Sequence, residues 1–269
     1  MRKIISNQSY DEECALDNLR EADVISCNFA GPADGEAPFR MARDVTMKDC
    51  SFSLRYPLWF AEDFTLEKSR ADDDCRSGIW YCKRGRMEDC DWKGPKALRE
   101  CRDIEIRNSQ IVSQEFGWKS KRVLLEDVTI DANYLFLESQ DVQLSRVTMT
   151  GKYSFQYMKN LEISDSSLDT KDAFWHSKNV TVRNCSLKGL YLGWFAKGLT
   201  LINCQISGFM PLCYCKDLKL IDCTMEDAEM AFKSSEVEAS IKGHIHSYYT
   251  PKSGSVSCGS VDEILTEET

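Results

Sequence analysis

From Asp103 onward the chain repeats itself every 19 residues, and this period constrains the fold more than any other property of the sequence. Asp103-Ile104-Glu105-Ile106-Arg107-Asn108 is echoed by Arg122-Val123-Leu124-Leu125-Glu126-Asp127. The polar residue that opens each echo, here called the marker, recurs at Asp141, Asn160, Asn179, Gly198, Asp217, Glu236 and Ser255. Towards the N-terminus it falls at Arg84, Asp63, Asp44 and Glu21, with steps of 19, 21, 19 and 23. The longest step absorbs a turn-rich insert, Gly31 to Pro38.

The register within each repeat spells out strands and corners. One and three residues after the marker the chain is apolar, as at Ile104 and Ile106, Val123 and Leu125, Leu161 and Ile163, Val180 and Val182. That alternation is a strand with one buried face. Five after comes Asp or Asn, as at Asp49, Asn108, Asp165, Asn184 and Asn203. These residues tolerate left-handed backbone and mark a corner. Eight after is apolar again (Ile111, Ile130, Leu168, Leu187), which gives a second short strand. Five before the marker stand Phe136, Phe155, Phe174 and Leu212, on a third. Three short strands per turn with an Asn/Asp corner describe an all-β fold, a single-stranded parallel β-helix of about 12 rungs of about 19 residues each. The expected layout is a cap over residues 1–13, one solenoid rather than two domains over 14–264, and a tail over 265–269.

The strings "SLRYPLW", "KALREC", "EFGWK", "YSFQY", "DTKDAFWHSKNVTV", "YLGW" and "PLCYCK" resemble an uncharacterised bacterial family of pectate-lyase-like proteins. The resemblance runs from about Cys14 to Ile264. It implies a right-handed parallel β-helix and brings no agreed activity with it, since a fold does not carry a function.

Composition narrows the function classes. A net charge of -9 argues against a nucleic-acid or anionic-membrane partner. No apolar run approaches the ~18 residues of a membrane span. The N-terminus has a basic start but no apolar core of a signal peptide. With 13 cysteines, an odd count, the expectation is reduced thiols in a cytoplasmic protein. Nine cysteines fall at two rung positions, and Cys185, Cys204 and Cys223 follow in successive rungs. They read as a column of small buried apolar groups, not as disulfides or a metal cage. No cofactor or metal is expected.

Five of the six tryptophans share one rung position, four before the marker: Trp59, Trp80, Trp118, Trp175 and Trp194. Arg40, Arg99, Leu137, Gln156 and Cys213 complete that column. Buried unpaired charge is costly, so a stripe holding Arg99 and Gln156 is expected to face outward. One residue on lie Tyr81, Glu100, Lys119, Glu138, Tyr157, His176 and Tyr214. A large exposed aromatic patch marks a binding surface. The candidate ligand site is therefore Trp59, Trp80, Arg99, Trp118, Lys119, Gln156, Tyr157, Trp175 and Trp194. Its ligand is expected to be a saccharide or other elongated polar molecule. The alternatives are a protein-interaction scaffold, for example a homodimer through the aromatic face, and a carbohydrate-active lyase or hydrolase. For the last, the weak catalytic candidates are Glu100 and Glu138, two rungs apart, and His176. Asp72-Asp73-Asp74 reads as a solvated loop, and the column Lys121, Lys159, Lys178, Lys197 and Lys216 as an exposed corner.

Overall fold

The computed structural model describes residues 2–31 and 36–266. The centre of the Gly31–Pro38 insert and most of the expected tail lie outside them. The chain divides into two compact units, Met1–Leu135 and Phe136–Thr269, each wound on the same pitch.

In the first unit the main strands are Lys3–Ser6, Arg20–Ile25, Arg43–Lys48, Glu62–Glu67, Lys83–Glu88, Arg102–Arg107 and Lys121–Glu126. Each pairs in parallel with the next. A second parallel stack runs from Ser9–Tyr10 to Thr129–Asn133. A third, Leu58–Trp59, Ile79–Trp80 and Leu98–Arg99, is extended by a bridge from Arg99 to Trp118. In the second unit the main strands are Gln140–Ser145, Lys159–Ser164, Lys178–Arg183, Lys197–Ile202, Leu218–Met225 and Glu236–Tyr249. Two short strands, Ser253–Ser257 and Ser260–Leu265, then pair with the two ends of the last one. The solenoid thus has about 14 turns rather than 12. The additional ones lie at the ends: Lys3–Ser6, inside the stretch expected as a cap, and the closing layer.

The interior follows the repeat. Ile106 pairs with Leu125 in the first unit, and Leu144, Ile163, Val182, Leu201 and Leu220 pair in succession in the second. None is more than 2% exposed. Left-handed residues make the corners. The marker itself is left-handed, as at Asp63, Asp103 and Asn179, and so is the Asp or Asn five residues later, as at Asp49, Asn108 and Asn203. Both positions also form side-chain ladders. Asn160 Nδ2 donates to Asp141 Oδ1 at 2.7 Å, Asn184 Nδ2 to Asp165 Oδ1 at 3.0 Å, and Asn203 Nδ2 to Asn184 Oδ1 at 3.0 Å.

All 13 cysteines are free, and only Cys14 and Cys258 are not buried. Cysteine and serine share two columns because either side chain can donate a second hydrogen bond to a corner carbonyl that already accepts a backbone N–H from the neighbouring rung. Cys50 Sγ donates to Lys48 O, Ser69 Oγ to Glu67 O and Cys90 Sγ to Glu88 O. Burial pushes the Cys50 and Cys90 thiols up to about 11, so these groups stay protonated and unreactive at neutral pH.

Candidate functional site

The stripe is built on a double corner. Phe136, Phe155 and Phe174, five before the marker, are left-handed and at most 1% exposed. The next residue, Leu137, Gln156 or Trp175, turns to the surface and is half-buried. The residue after that, Glu138, Tyr157 or His176, is left-handed again and exposed. Two left-handed residues in four break simple in-out alternation. That is why the small residue two before the marker can also point inward. Its side chain caps the carbonyl of the stripe residue: Cys82 Sγ donates to Trp80 O, Cys101 Sγ to Arg99 O and Ser120 Oγ to Trp118 O.

The five tryptophans of the stripe are thus on the surface but lie against it. The indole N–H groups of Trp118, Trp175 and Trp194 donate at 2.8 Å to the carbonyls of Tyr134, Tyr191 and Met210. Trp175 and Trp194 stack at 5.4 Å with planes 5° apart, and Trp59 and Trp80 at 6.2 Å and 18°. The sixth tryptophan, Trp92, is in the core. Arg99 is held within the first unit. Its guanidinium lies 5.8 Å from the Trp80 ring and 5.6 Å from that of Trp118, and its Nε donates to Glu100 at 3.1 Å. Burial opposes ionisation of Glu100, but Arg99 and the Tyr81 hydroxyl outweigh it and hold the carboxyl below the usual range. Glu100 is an ionised partner of Arg99, which does not suit a general acid.

Glu100 belongs to the first unit and Glu138 to the second. Lys119 and Glu138 are exposed, and the Gln156 amide donates to Asp172 O at 2.9 Å. His176 has its ring faces covered by Tyr157 at 5.0 Å and Phe195 at 4.9 Å. Asp72, Asp73 and Asp74 form an exposed turn closed by Asp72 Oδ1 accepting from Asp74 N at 3.1 Å.

The geometry adds a feature that the residue types concealed. In the second unit Tyr157, His176, Phe195 and Tyr214 form one continuous pile, each ring 4.9–5.0 Å from the next and within 14° of parallel. Phe195 is 43% exposed and Tyr157 52%. A phenylalanine reads as core, so Phe195 escaped notice; its rung position, shared with Tyr157 and His176, was the available signal. Two residues on, Lys159, Lys178, Lys197 and Lys216 form a second column parallel to the rings, in strand register from one rung to the next. All four are exposed, and among the described residues none has an ion-pair partner. Between the columns lies a recess of about 400 Å³ lined by Tyr157, Met158, Lys159, His176, Lys178 and Phe195. Another recess of the second unit, of about 580 Å³, opens beside the parallel strands Thr148–Lys152, Ser167–Lys171 and Gln205–Phe209, at Gly151, Thr170, Gly189 and Gly208. Two of its glycines are obligatory: a Cβ on Gly189 would lie 1.8 Å from Thr170 O, and one on Gly208 1.9 Å from Gly189 O.

Residues 3–269 match the family described as a protein of unknown function, DUF3737, and the chain belongs to that family. No curated protein matches it. Among solved structures it is similar to PfbA, a surface adhesin of Streptococcus pneumoniae, at 8% identity and a TM-score of 0.43, covering 96% of this chain and 82% of that one. It is also similar to a tailspike double mutant of E. coli bacteriophage HK620 in complex with pentasaccharide, at 10% identity and 0.46, covering 93% of this chain and 58% of the tailspike. A third likeness, to the periplasmic alginate epimerase AlgG, has 8% identity and 0.33, covering 91% and 76%. At such values nothing about activity passes to this chain. No described helix is long and apolar enough to cross a membrane.

Proposed function

We propose that this protein binds an extended acidic saccharide along the outward face of its second unit. The observation that carries the proposal is the lysine column beside the ring column. Like charges placed directly opposite on neighbouring strands are unfavourable. At a strand spacing of about 4.8 Å, two ammonium groups in water repel by roughly 1 kcal/mol, less when they splay apart. A chain with a net charge of -9 has carboxylates enough to neutralise such a column, yet Lys159, Lys178 and Lys197 stand beside the neutral Asn160, Asn179 and Gly198. A linear polyanion with one charge per unit would relieve the repulsion all along its length. The strand spacing is close to the advance of one pyranose unit in an extended chain. Tyr157, His176, Phe195 and Tyr214 spend their faces on one another, so they offer ring edges, which carry the positive end of the aromatic quadrupole. Edges and ammonium groups both favour an anionic ligand. Trp194 packs edge-on against Phe195 and Tyr214 in this face, whereas Arg99 is already engaged within the first unit. A homodimer through the same face would set lysine against lysine, which disfavours that alternative. The 13 free thiols suit a reducing, cytoplasmic setting for this binding.

Calorimetric titration with acidic oligosaccharides, for example oligogalacturonate, against their neutral counterparts tests the reading. Binding should weaken steeply with salt and fall at least tenfold in Lys178→Glu. Affinity shared equally by neutral and acidic chains, or untouched by Lys178→Glu and Lys197→Glu together, would remove it.

A further inference from the structure

The second unit ends in a polar patch with a different chemistry. The strand Glu236–Tyr249 pairs in parallel with Ser260–Leu265, which sets His244 opposite Ser260, Ile245 opposite Val261 and Ser247 opposite Glu263. His246 therefore stands opposite Asp262. Alternation puts His244 and His246 on one face of their strand, while Ile245 and Ser247 turn inward and are buried. Ser260 and Asp262 share the corresponding face of the partner strand.

Both imidazoles turn to a single carboxylate oxygen. His244 Nε2 lies 3.1 Å from Asp262 Oδ2, and His246 Nδ1 lies 2.9 Å from the same atom. The other nitrogen of His244, Nδ1, is 3.0 Å from Ser260 Oγ. The three ligand atoms all lie within 4.8 Å of one another.

The two histidine–carboxylate separations fit ligands around one small cation. With bonds of about 2.0–2.1 Å to nitrogen and oxygen, two ligands at a right angle are roughly 2.9 Å apart, and two at a tetrahedral angle roughly 3.4 Å. The observed 2.9 and 3.1 Å fall at the lower end of that interval. An Nδ1–H donated by His244 to Ser260 Oγ would leave the Nε2 lone pair facing the site, the orientation a histidine ligand needs. Two imidazoles and one carboxylate suit a borderline first-row ion rather than calcium or magnesium, which prefer all-oxygen sets.

We infer that His244, His246 and Asp262 bind one Zn²⁺-type divalent ion. The ion fastens the strand Ser260–Leu265 to Glu236–Tyr249, and its remaining positions are open to water. An exposed His–Asp pair alone contributes little to stability, whereas a shared ion cross-links the last turn. This site is independent of the proposed saccharide face.

The test uses tag-free, chelator-treated full-length protein titrated with Zn²⁺ by calorimetry. Hydrogen exchange of residues 253–265 is followed in parallel with and without the ion. One equivalent should bind, and exchange in that segment should slow. His246→Ala and Asp262→Asn should each weaken binding at least tenfold without altering the fold, while Cys258→Ser should change nothing. Binding that survives the His244→Ala/His246→Ala double variant, that is lost in Cys258→Ser, or that leaves exchange in residues 253–265 unaltered overturns the inference. No saturable binding, the result expected of a plain ion pair, overturns it as well.

Discussion

The position one before the marker is the same place in the rung throughout the chain and is mostly basic in both units, yet its charges are paired differently. In the first unit Glu62 sits between Arg43 and Lys83, accepting from Arg43 Nη2 at 2.8 Å and from Lys83 Nζ at 3.1 Å. The adjoining marker column is also paired, Arg84 to Asp63 and Arg122 to Asp103, each through two hydrogen bonds. In the second unit the position is lysine in four successive rungs, three beside the neutral markers Asn160, Asn179 and Gly198 and the fourth beside Asp217. A solenoid requires only that the corner turn and the interior pack. Charge on the outer corner is therefore free to vary. The first unit uses that freedom to neutralise itself. The second leaves Lys159, Lys178 and Lys197 beside neutral markers, and the proposed acidic ligand rests on that column.

The largest effect should come from the interior, where the inward phenylalanine and the adjacent stripe residue can be set against each other. Phe174→Ala should cost about 3–5 kcal/mol in urea unfolding. Trp175→Ala loses half-buried area and one stacked pair, and should cost about 1–2 kcal/mol. Equal losses would mean that the stripe is core and that the outward face has been misassigned.

An intermediate effect is expected from acid. Hydrogen bonds from Arg84 hold Glu62 and Asp63 below the usual carboxylate range, with Lys83 helping at Glu62, and Arg122 does the same for Asp103. The folded form thus binds these protons less readily than the unfolded one. Their stabilisation is complete above the unfolded value, about pH 4, and is lost as the pH falls through the lower folded values. Exchange protection in Glu62–Glu67 and Lys83–Glu88 should drop below pH 4 relative to Lys159–Ser164 and Lys178–Arg183. A uniform loss in both units would remove the electrostatic distinction between them.

The smallest effect, and the sharpest test of the comparison, is a charge reversal made once in each unit. Glu62→Lys should lower the melting temperature slightly, because it breaks the pairs with Arg43 and Lys83 and creates two repulsions. Lys178→Glu should raise it slightly, because it removes two repulsions and creates two attractions. Each amounts to about a few tenths of a kcal/mol, and both should fade in high salt. The same sign at both positions would show that the column is not electrostatically strained in the second unit.

The period made the interior legible. Ile106 and Leu125, and Leu144 through Leu220, could be placed before any coordinate because strand alternation and a fixed step leave one solution. The buried thiols were legible for the same reason. The stripe was only half legible. Its outward direction followed from the charge of Arg99, but the arginine's clasp by Trp80, Trp118 and Glu100 depends on three rungs meeting in space. Phe195 was passed over because an apolar residue at a left-handed corner does not look like surface. The His244, His246 and Asp262 cluster was invisible, since its members are up to 18 residues apart in a region where the repeat has decayed.

The sequence by itself determined the pitch, the inward columns and the Asn/Asp corners, because burial and left-handed backbone each demand particular residue types at particular phases. Only the tertiary structure decided which surface charges find partners, which rings pile on one another and where two histidines meet one aspartate. Those outcomes depend on side-chain directions across neighbouring rungs, and a linear period is silent about directions wherever the outer face is free to take any polar residue.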